Sequence, residues 1–322
     1  MSDRTGSAFE LALFQEDTWN DGAVTPVAHV IPVASGVSMG SYQGPTVDSD
    51  ELTPDLEPPQ GFEDTFKSDG TFPLAAVIDA FGLIMYWLFN GYSVSGSGPY
   101  EHVHTPELTT PRTVGADLGD NHASTPKYDL EYGQTIQGFS LTLQKTSGLL
   151  KIMVKVFGSG KHTDDGATPQ DATPATYTGV RLQPRKGKVE IDSTHEASIS
   201  EVSIDVNRAV DGDGGLNNED YHNGLVYEGY IYTINTLKAV FDHASTMRAY
   251  EDGAEHEVKI TIYATDTATK YIEITYDGCI FPRTDKRNVS SRGRQEYPFN
   301  GLKPTSISVK TVGDIADYSA IV

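Results

Sequence analysis

Cysteine is almost absent from this chain: Cys279 is the only one in 322 residues. No disulfide can close within the chain, a cysteine-based zinc site is excluded, and synthesis in a reducing cytoplasm is the expectation. Basic residues are also scarce, 24 Lys and Arg against 45 Asp and Glu, for a formal net charge of −21. Such a field repels phosphate, so binding of nucleic acid by charge attraction is not expected. The shortage is regional, because residues 1–120 carry 18 acids and only Arg4, Lys67 and Arg112 as bases. The opening Met1-Ser2-Asp3-Arg4-Thr5-Gly6 has no basic stretch running into an apolar one, which does not read as a secretory signal. The longest apolar run, Pro73 to Phe89, is 17 residues interrupted by Asp79, at the lower limit for a bilayer span, and no membrane insertion is expected.

What the chain does contain is enough apolar matter for a core, 38% hydrophobic and 10% aromatic, punctuated by 31 Gly and 17 Pro. That combination excludes wholesale disorder, argues against a helical bundle and points to a turn-rich β protein. Leu74, Val77, Ile78, Phe81, Met85 and Leu88 recur at helical spacing, with Pro73 in the first turn and Asn90-Gly91 as the stop. They predict one amphipathic helix laid over an apolar sheet face. Val27 to Val33 reads as a strand. Phe139, Leu141 and Leu143, then Ile152, Val154 and Val156, alternate with polar or exposed positions around Thr146-Ser147-Gly148 and predict a hairpin. The same period marks Val202 to Val206, Tyr230 to Ile234, Val258 to Ile262, Ile272 to Tyr276 and Ile307 to Val309. Residues 34–71 read as a long acidic loop, about 92–127 and 161–176 as polar insertions, and about 283–322 as a C-terminal arm that starts cationic and ends apolar. There is no internal repeat, so the expectation is a single β-sandwich or barrel-like domain over 1–322.

Motifs that would carry chemistry are incomplete. Gly36-Val37-Ser38-Met39-Gly40 fits a nucleophile elbow, but the loop-like Ser41-Tyr42-Gln43-Gly44-Pro45 follows where a helix is required. Gly158-Ser159-Gly160-Lys161 ends like a phosphate loop, yet Lys155 stands where the upstream glycine belongs and His162 where a hydroxyl belongs. The oxygen-rich Asp211 to Asp220 stretch has Gly215, Leu216 and His222 at positions where an EF-hand needs a ligand, a glycine and a glutamate. Glu101-His102-Val103-His104 offers two imidazoles without a third ligand and reads as surface histidines. No pair among the acids is singled out for glycoside hydrolysis. The reading is a protein that is not an enzyme and holds no cofactor or metal.

The order of features resembles the tail tube (major tail) protein family of long-tailed, siphovirus-type viruses of bacteria and archaea. The segments that carry it are Glu10 to Trp19, the long loop, the Leu74 to Leu88 helix, Tyr132 to Leu143, Gly148 to Gly158, Ala197 to Asn207, and the strands around Val258 and Ile274. The resemblance implies a tail tube β-sandwich with one flanking helix, assembling into hexameric rings that stack into a hollow tube for DNA delivery. It further implies a place in the virion tail after assembly in the host cytoplasm, with tape measure, terminator and distal tail proteins as partners and only transient, non-sequence-specific passage of DNA. In that frame Glu201, Asp205, Glu257, Glu273 and Asp277, opposite apolar neighbours on their strands, are candidate lumen-facing acids, since carboxylates repel phosphates. Asp48, Asp50, Glu51, Asp55 and Glu57 in the loop, and Arg283, Lys286, Arg287, Arg292 and Arg294 near the C-terminus, are candidate charge-complementary contacts between copies. The alternative is another virion β protein, such as a capsid decoration or receptor-binding module.

Overall fold

The alternating runs form strands, and a computed structural model describes residues 9–20, 27–34, 36–43, 66–120, 127–144, 149–166, 168–177, 179–196, 199–212, 222, 224–240, 250–264, 269–282, 288–289 and 295–322. In chain order come β1 (Phe9–Gln15), β2 (His29–Val30), β3 (Ser41–Gln43), β4 (Phe66–Leu74) and the helix α1 (Ile78–Leu88). There follow β5 (Gly91–Ser95), β6 (Tyr100–Thr105), β7 (Val114–Asp120), β8 (Lys127–Gln144), β9 (Leu149–Gly158), β10 (His162–Gly166) and β11 (Ala175–Thr176). The remainder is β12 (Leu182–Ile191), β13 (Thr194–His195), β14 (Ile199–Gly212), β15 (Leu225–Val240), β16 (His256–Ala264), β17 (Tyr271–Cys279), β18 (Asn288–Val289), β19 (Gln295–Leu302), β20 (Ser306–Gly313) and a short 3-10 turn at Tyr318–Ala320.

Two sheets result, largely antiparallel, and neither closes into a barrel among the described residues. The larger has 13 strands, with β11-β2-β1-β7-β8-β14-β15-β19-β18 as its main path and β9, β4, β3 and β10 branching beside β8. The smaller has 7, in the order β13-β12-β16-β17-β20-β6-β5. The predicted hairpin is present, with Leu141 opposite Ile152 and Phe139 opposite Val154. Inward residues of both sheets, such as Leu141, Val154 and Ile204 from one and Ile260, Ile274 and Val309 from the other, belong to one contiguous buried cluster. Facing sheets that share one core make a β-sandwich, as expected.

The helix is present but shorter than predicted, and it lies inside. Every residue of α1 is buried, and it touches β20 and β6 of one sheet and β8 of the other. The predicted apolar stripe is real, yet Ala80, Leu83, Ile84 and Trp87 are apolar and fully buried on the remaining faces. A helix apolar all round belongs in an interior and not over a sheet. Leu74 and Pro73 belong instead to β4, paired with β9. The exit of the helix is held by Arg112, which donates to the carbonyl of Tyr86, to that of Phe89 at 2.9 Å and to that of Asn90 at 3.2 Å, with its guanidinium 3.8 Å above the Tyr86 ring. A cation at this end answers both the orphan carbonyls and the negative pole of the helix.

The polar stretches are less loop-like than expected. The 92–127 stretch contains most of β5, all of β6 and β7 and the first residue of β8; β5 and β6 complete the smaller sheet, and β7 joins β1 to β8. Part of 34–71 is strand as well, in β3 and in β4 up to Thr71, while residues 44–65 lie outside the described residues. The 161–176 stretch holds β10 and β11. The described part of the supposed C-terminal arm joins the core: β20 sits between β17 and β6, and Tyr318 is fully buried with its hydroxyl donating to the Asp79 carbonyl at 3.1 Å.

Candidate functional site

The motifs considered for catalysis serve the fold. Ser38 forms a backbone bridge to Thr71, its N–H and carbonyl exchanging bonds of 3.0 and 2.7 Å. Ser159 is buried, with Asn20 Oδ1 at 2.5 Å and the Tyr132 carbonyl at 3.1 Å as acceptors. The Asp211 stretch lies largely outside the described residues, among which no group of three potential metal ligands is found.

His102 and His104 correct the expectation of surface histidines, since both are fully buried. The strand period turns them inward beside Tyr92 and Tyr318, while Glu101 and Val103 face out. His102 Nε2 donates to the Ile315 carbonyl at 2.8 Å, and its Nδ1 lies 2.9 Å from the Tyr92 hydroxyl. Among the described residues the hydrogen-bond partner of His104 is Thr311 Oγ1 alone, at 3.5 Å, and burial pushes its pKa down to about 3. The unfolded chain takes up this proton below about pH 6.5, and the fold refuses it until about pH 3. Stability from this group is therefore complete above pH 6.5 and falls as the pH drops, by about 2 kcal/mol at pH 5. Burial moves Asp117 the opposite way, up to about 6, so it gives stability back over part of the same range. Subtracting the pH dependence of a His104→Leu variant isolates the histidine. Urea titrations at pH 7 and pH 5 should show the wild type losing about 2 kcal/mol more than the variant, and parallel losses would disprove a neutral buried His104.

The five candidate lumen acids are not brought together. Glu201 and Asp205 stand on β14, on the outer face of the larger sheet, opposite the buried side of Val202, Ile204 and Val206. Glu257 on β16 and Glu273 and Asp277 on β17 stand on the outer face of the smaller sheet. In a sandwich these faces point away from each other, so a single lumen can take only one set. On the larger sheet Lys155 Nζ lies 2.9 Å from Asp205, and the exposed Lys151 has no carboxylate partner among the described residues. On the smaller sheet three lysines have acids: Lys188 with Glu190 at 2.7 Å, Lys259 with Glu257 at 3.6 Å, and Lys310 with Glu101 at 3.4 Å and Glu273 at 3.8 Å. Asp277 accepts from Ser306 Oγ at 3.1 Å. Sequence reading did not single out these pairs: Lys188–Glu190 and Lys259–Glu257 stand two residues apart on one face of a strand, whereas Lys310 meets Glu101 and Glu273 only across strands far apart in the chain. The proposed contact residues Asp48, Asp50, Glu51, Asp55, Glu57, Arg283, Lys286, Arg287, Arg292 and Arg294 all lie outside the described residues.

Broad polar faces with paired charges, over a two-sheet core that encloses its helix, define a structural β-sandwich protein whose working parts are surfaces and edges. The profile of the phage tail tube protein family matches residues 6–300, and the chain belongs to that family. It is a structural component of the phage tail, in a family that self-assembles and meets other tail proteins. A search of curated proteins finds no match.

Proposed function

We propose that copies of this chain close into six-membered rings, that the rings stack into a hollow tube, and that viral DNA is delivered through it. The family match over residues 6–300 carries this reading. Assembly takes place in the host cytoplasm, and the tube meets the tape measure inside it and the terminator and distal tail proteins at its ends.

The lumen wall in this reading is the outer face of the smaller sheet, with Glu257, Glu273 and Asp277. A conduit must not hold its cargo, and each Lys or Arg that meets a phosphate releases counterions and adds affinity. The pairing of Lys188, Lys259 and Lys310 with carboxylates supports this choice, because it leaves the face a surplus of acid. Glu201 and Asp205 then face away from the DNA.

Negative-stain microscopy of the purified protein at several salt concentrations tests the tube: hollow tubes of constant diameter are expected, and compact particles at every condition would refute it. Glu273→Lys and Glu257→Lys together test the wall. Virions built with this pair should form normal tails yet eject DNA more slowly, with relief by added salt. Slowing by Glu201→Lys in its place would put the lumen on the other sheet.

A further inference from the structure

The sandwich leaves both of its sheets open on one flank. β5 ends the smaller sheet and, among the described residues, pairs only with β6. In the larger sheet β15 pairs along its length with β14, but β19 covers its other side only from Ile234 onward. Residues 225–233 therefore present a second open edge among the described residues. The two edges are neighbours: Asn90, just before β5, donates through Nδ2 to the carbonyls of Thr109 and Thr110 at 3.1 Å each, and Arg208 on β14 donates to the same Thr109 carbonyl at 2.6 Å. Tyr230 on β15 donates to the Leu88 carbonyl at 2.8 Å.

This flank is apolar and acidic. Leu108 is 74% exposed, Ile231 57%, Val226 55% and Val94 38%, four of the six large hydrophobic residues exposed among the described residues. Scattered exposed apolar residues are ordinary, whereas a cluster along unpaired strand edges invites association. Glu107, Asp211 and Glu228 are exposed among them, while Arg208 points inward and is fully buried. The opposite end of the smaller sheet has the reverse character. There exposed Arg181 precedes β12, which carries exposed Arg185 and Lys186 beside Pro184, and the register of β12 with β16 shifts between Leu182 and Gly187.

Each surface repels its own kind: carboxylates would face carboxylates on two flanks, and cations would face cations on two β12 edges, where Pro184 and the shifted register also resist strand addition. Only the mixed contact brings acid to base. We propose that the flank formed by β5, the 106–110 loop and the open half of β15 docks onto the Arg181 to Lys188 edge of a second copy of this chain, in a head-to-tail contact. This inference rests on the tube reading and names the lateral contact within the ring. β5 closes one end of the smaller sheet, and at the other end β13 pairs β12 only at Glu190 and Ile191, which leaves the Arg181 to Lys188 side of β12 uncovered among the described residues; repeating the contact therefore carries the outer face of this sheet around the assembly, and a head-to-tail contact closes when its rotation permits.

Two variants of the full chain test it, both altered only at exposed positions: Leu108→Asp with Ile231→Asp on the flank, and Arg185→Glu with Lys186→Glu on the edge. Circular dichroism and thermal melting should match the wild type for both. Each alone should form no rings by electron microscopy and analytical ultracentrifugation. Mixed in equal amounts they should form one-to-one dimers and nothing larger, since the intact flank of one meets the intact edge of the other and no second contact is left. Rings from either variant, or a mixture that stays monomeric, would overturn the inference. If the wild type forms no rings at any salt concentration, the tube reading fails, and the mixed-variant dimer alone then decides this contact.

Discussion

Trp87→Ala is expected to lower the free energy of unfolding by about 3–5 kcal/mol, among the larger losses a single substitution can produce. The side chain is fully buried on α1, among the largest fully buried side chains, with the His29 ring set edge-on at a centroid distance of 6.1 Å. Both sheets touch this helix, so neither can move in to fill the hole without leaving the other. The cavity therefore persists, and the lost contacts add to the lost transfer energy. Trp87 Nε1–H finds no acceptor among the described residues, and an unmet buried donor weighs against the native state. Trp87→Phe keeps most of the ring and removes that donor, so its loss should stay within about 1.5 kcal/mol. Urea denaturation followed by far-ultraviolet circular dichroism measures both. Equal losses for the two variants would mean that the indole N–H, and not the volume, matters at this site.

What the sequence made legible follows from how local the governing contacts are. The Leu141–Ile152 hairpin was readable because its partners are adjacent in the chain and their period is strict. The strands at Val258 and Ile274 were readable for the same reason, and the family resemblance rested on such segments. The 92–127 stretch hid its strands because two of its inward positions are His102 and His104, which carry no apolar signal and become core only through Tyr92, Tyr318 and the Ile315 carbonyl, the last two brought in from more than two hundred residues away. The placement of α1 was misread for a related reason: Ala80 and Leu83 reveal their burial only when a second sheet covers them.

The candidate site was legible residue by residue but not as an arrangement. Each of the five acids does face outward on its strand, as alternation requires. Which sheet each strand joins depends on pairings such as β14 with β8 and β17 with β20, and no local pattern encodes these. The open flank was invisible for the same reason, since an edge is defined by the strand that is not beside it.

The glycine at 138 is the position where that long-range arrangement is most exposed to a single atom, and Gly138→Val is expected to prevent the protein from reaching a soluble native state. β8 changes neighbours here: β7 lies alongside Lys127 to Gln134, β14 lies alongside Gly138 to Gln144, and the register with β9 shifts between Ile136 and Gly138. The strand must bend where its partner changes, and the bend brings it against β14. A Cβ at position 138 would lie 2.1 Å from the Val206 carbonyl oxygen and 3.0 Å from the Asn207 Cα. Those obstacles are backbone, which cannot rotate aside, so relief requires parting β8 from β14 in the middle of the larger sheet. Gly138→Ala tests the same clash with the smallest possible group and should lose about 3 kcal/mol, the upper end for overpacking. Gly36→Ala is the control, because a Cβ there meets nothing within 4 Å, and it should be neutral or stabilising by up to about 1 kcal/mol. Solubility on expression and urea midpoints of the two alanine variants measure the contrast. A Gly138→Ala protein as stable as Gly36→Ala would show that the two strands can separate there without loss, and the bend in β8 would then not be what fixes the position of β14.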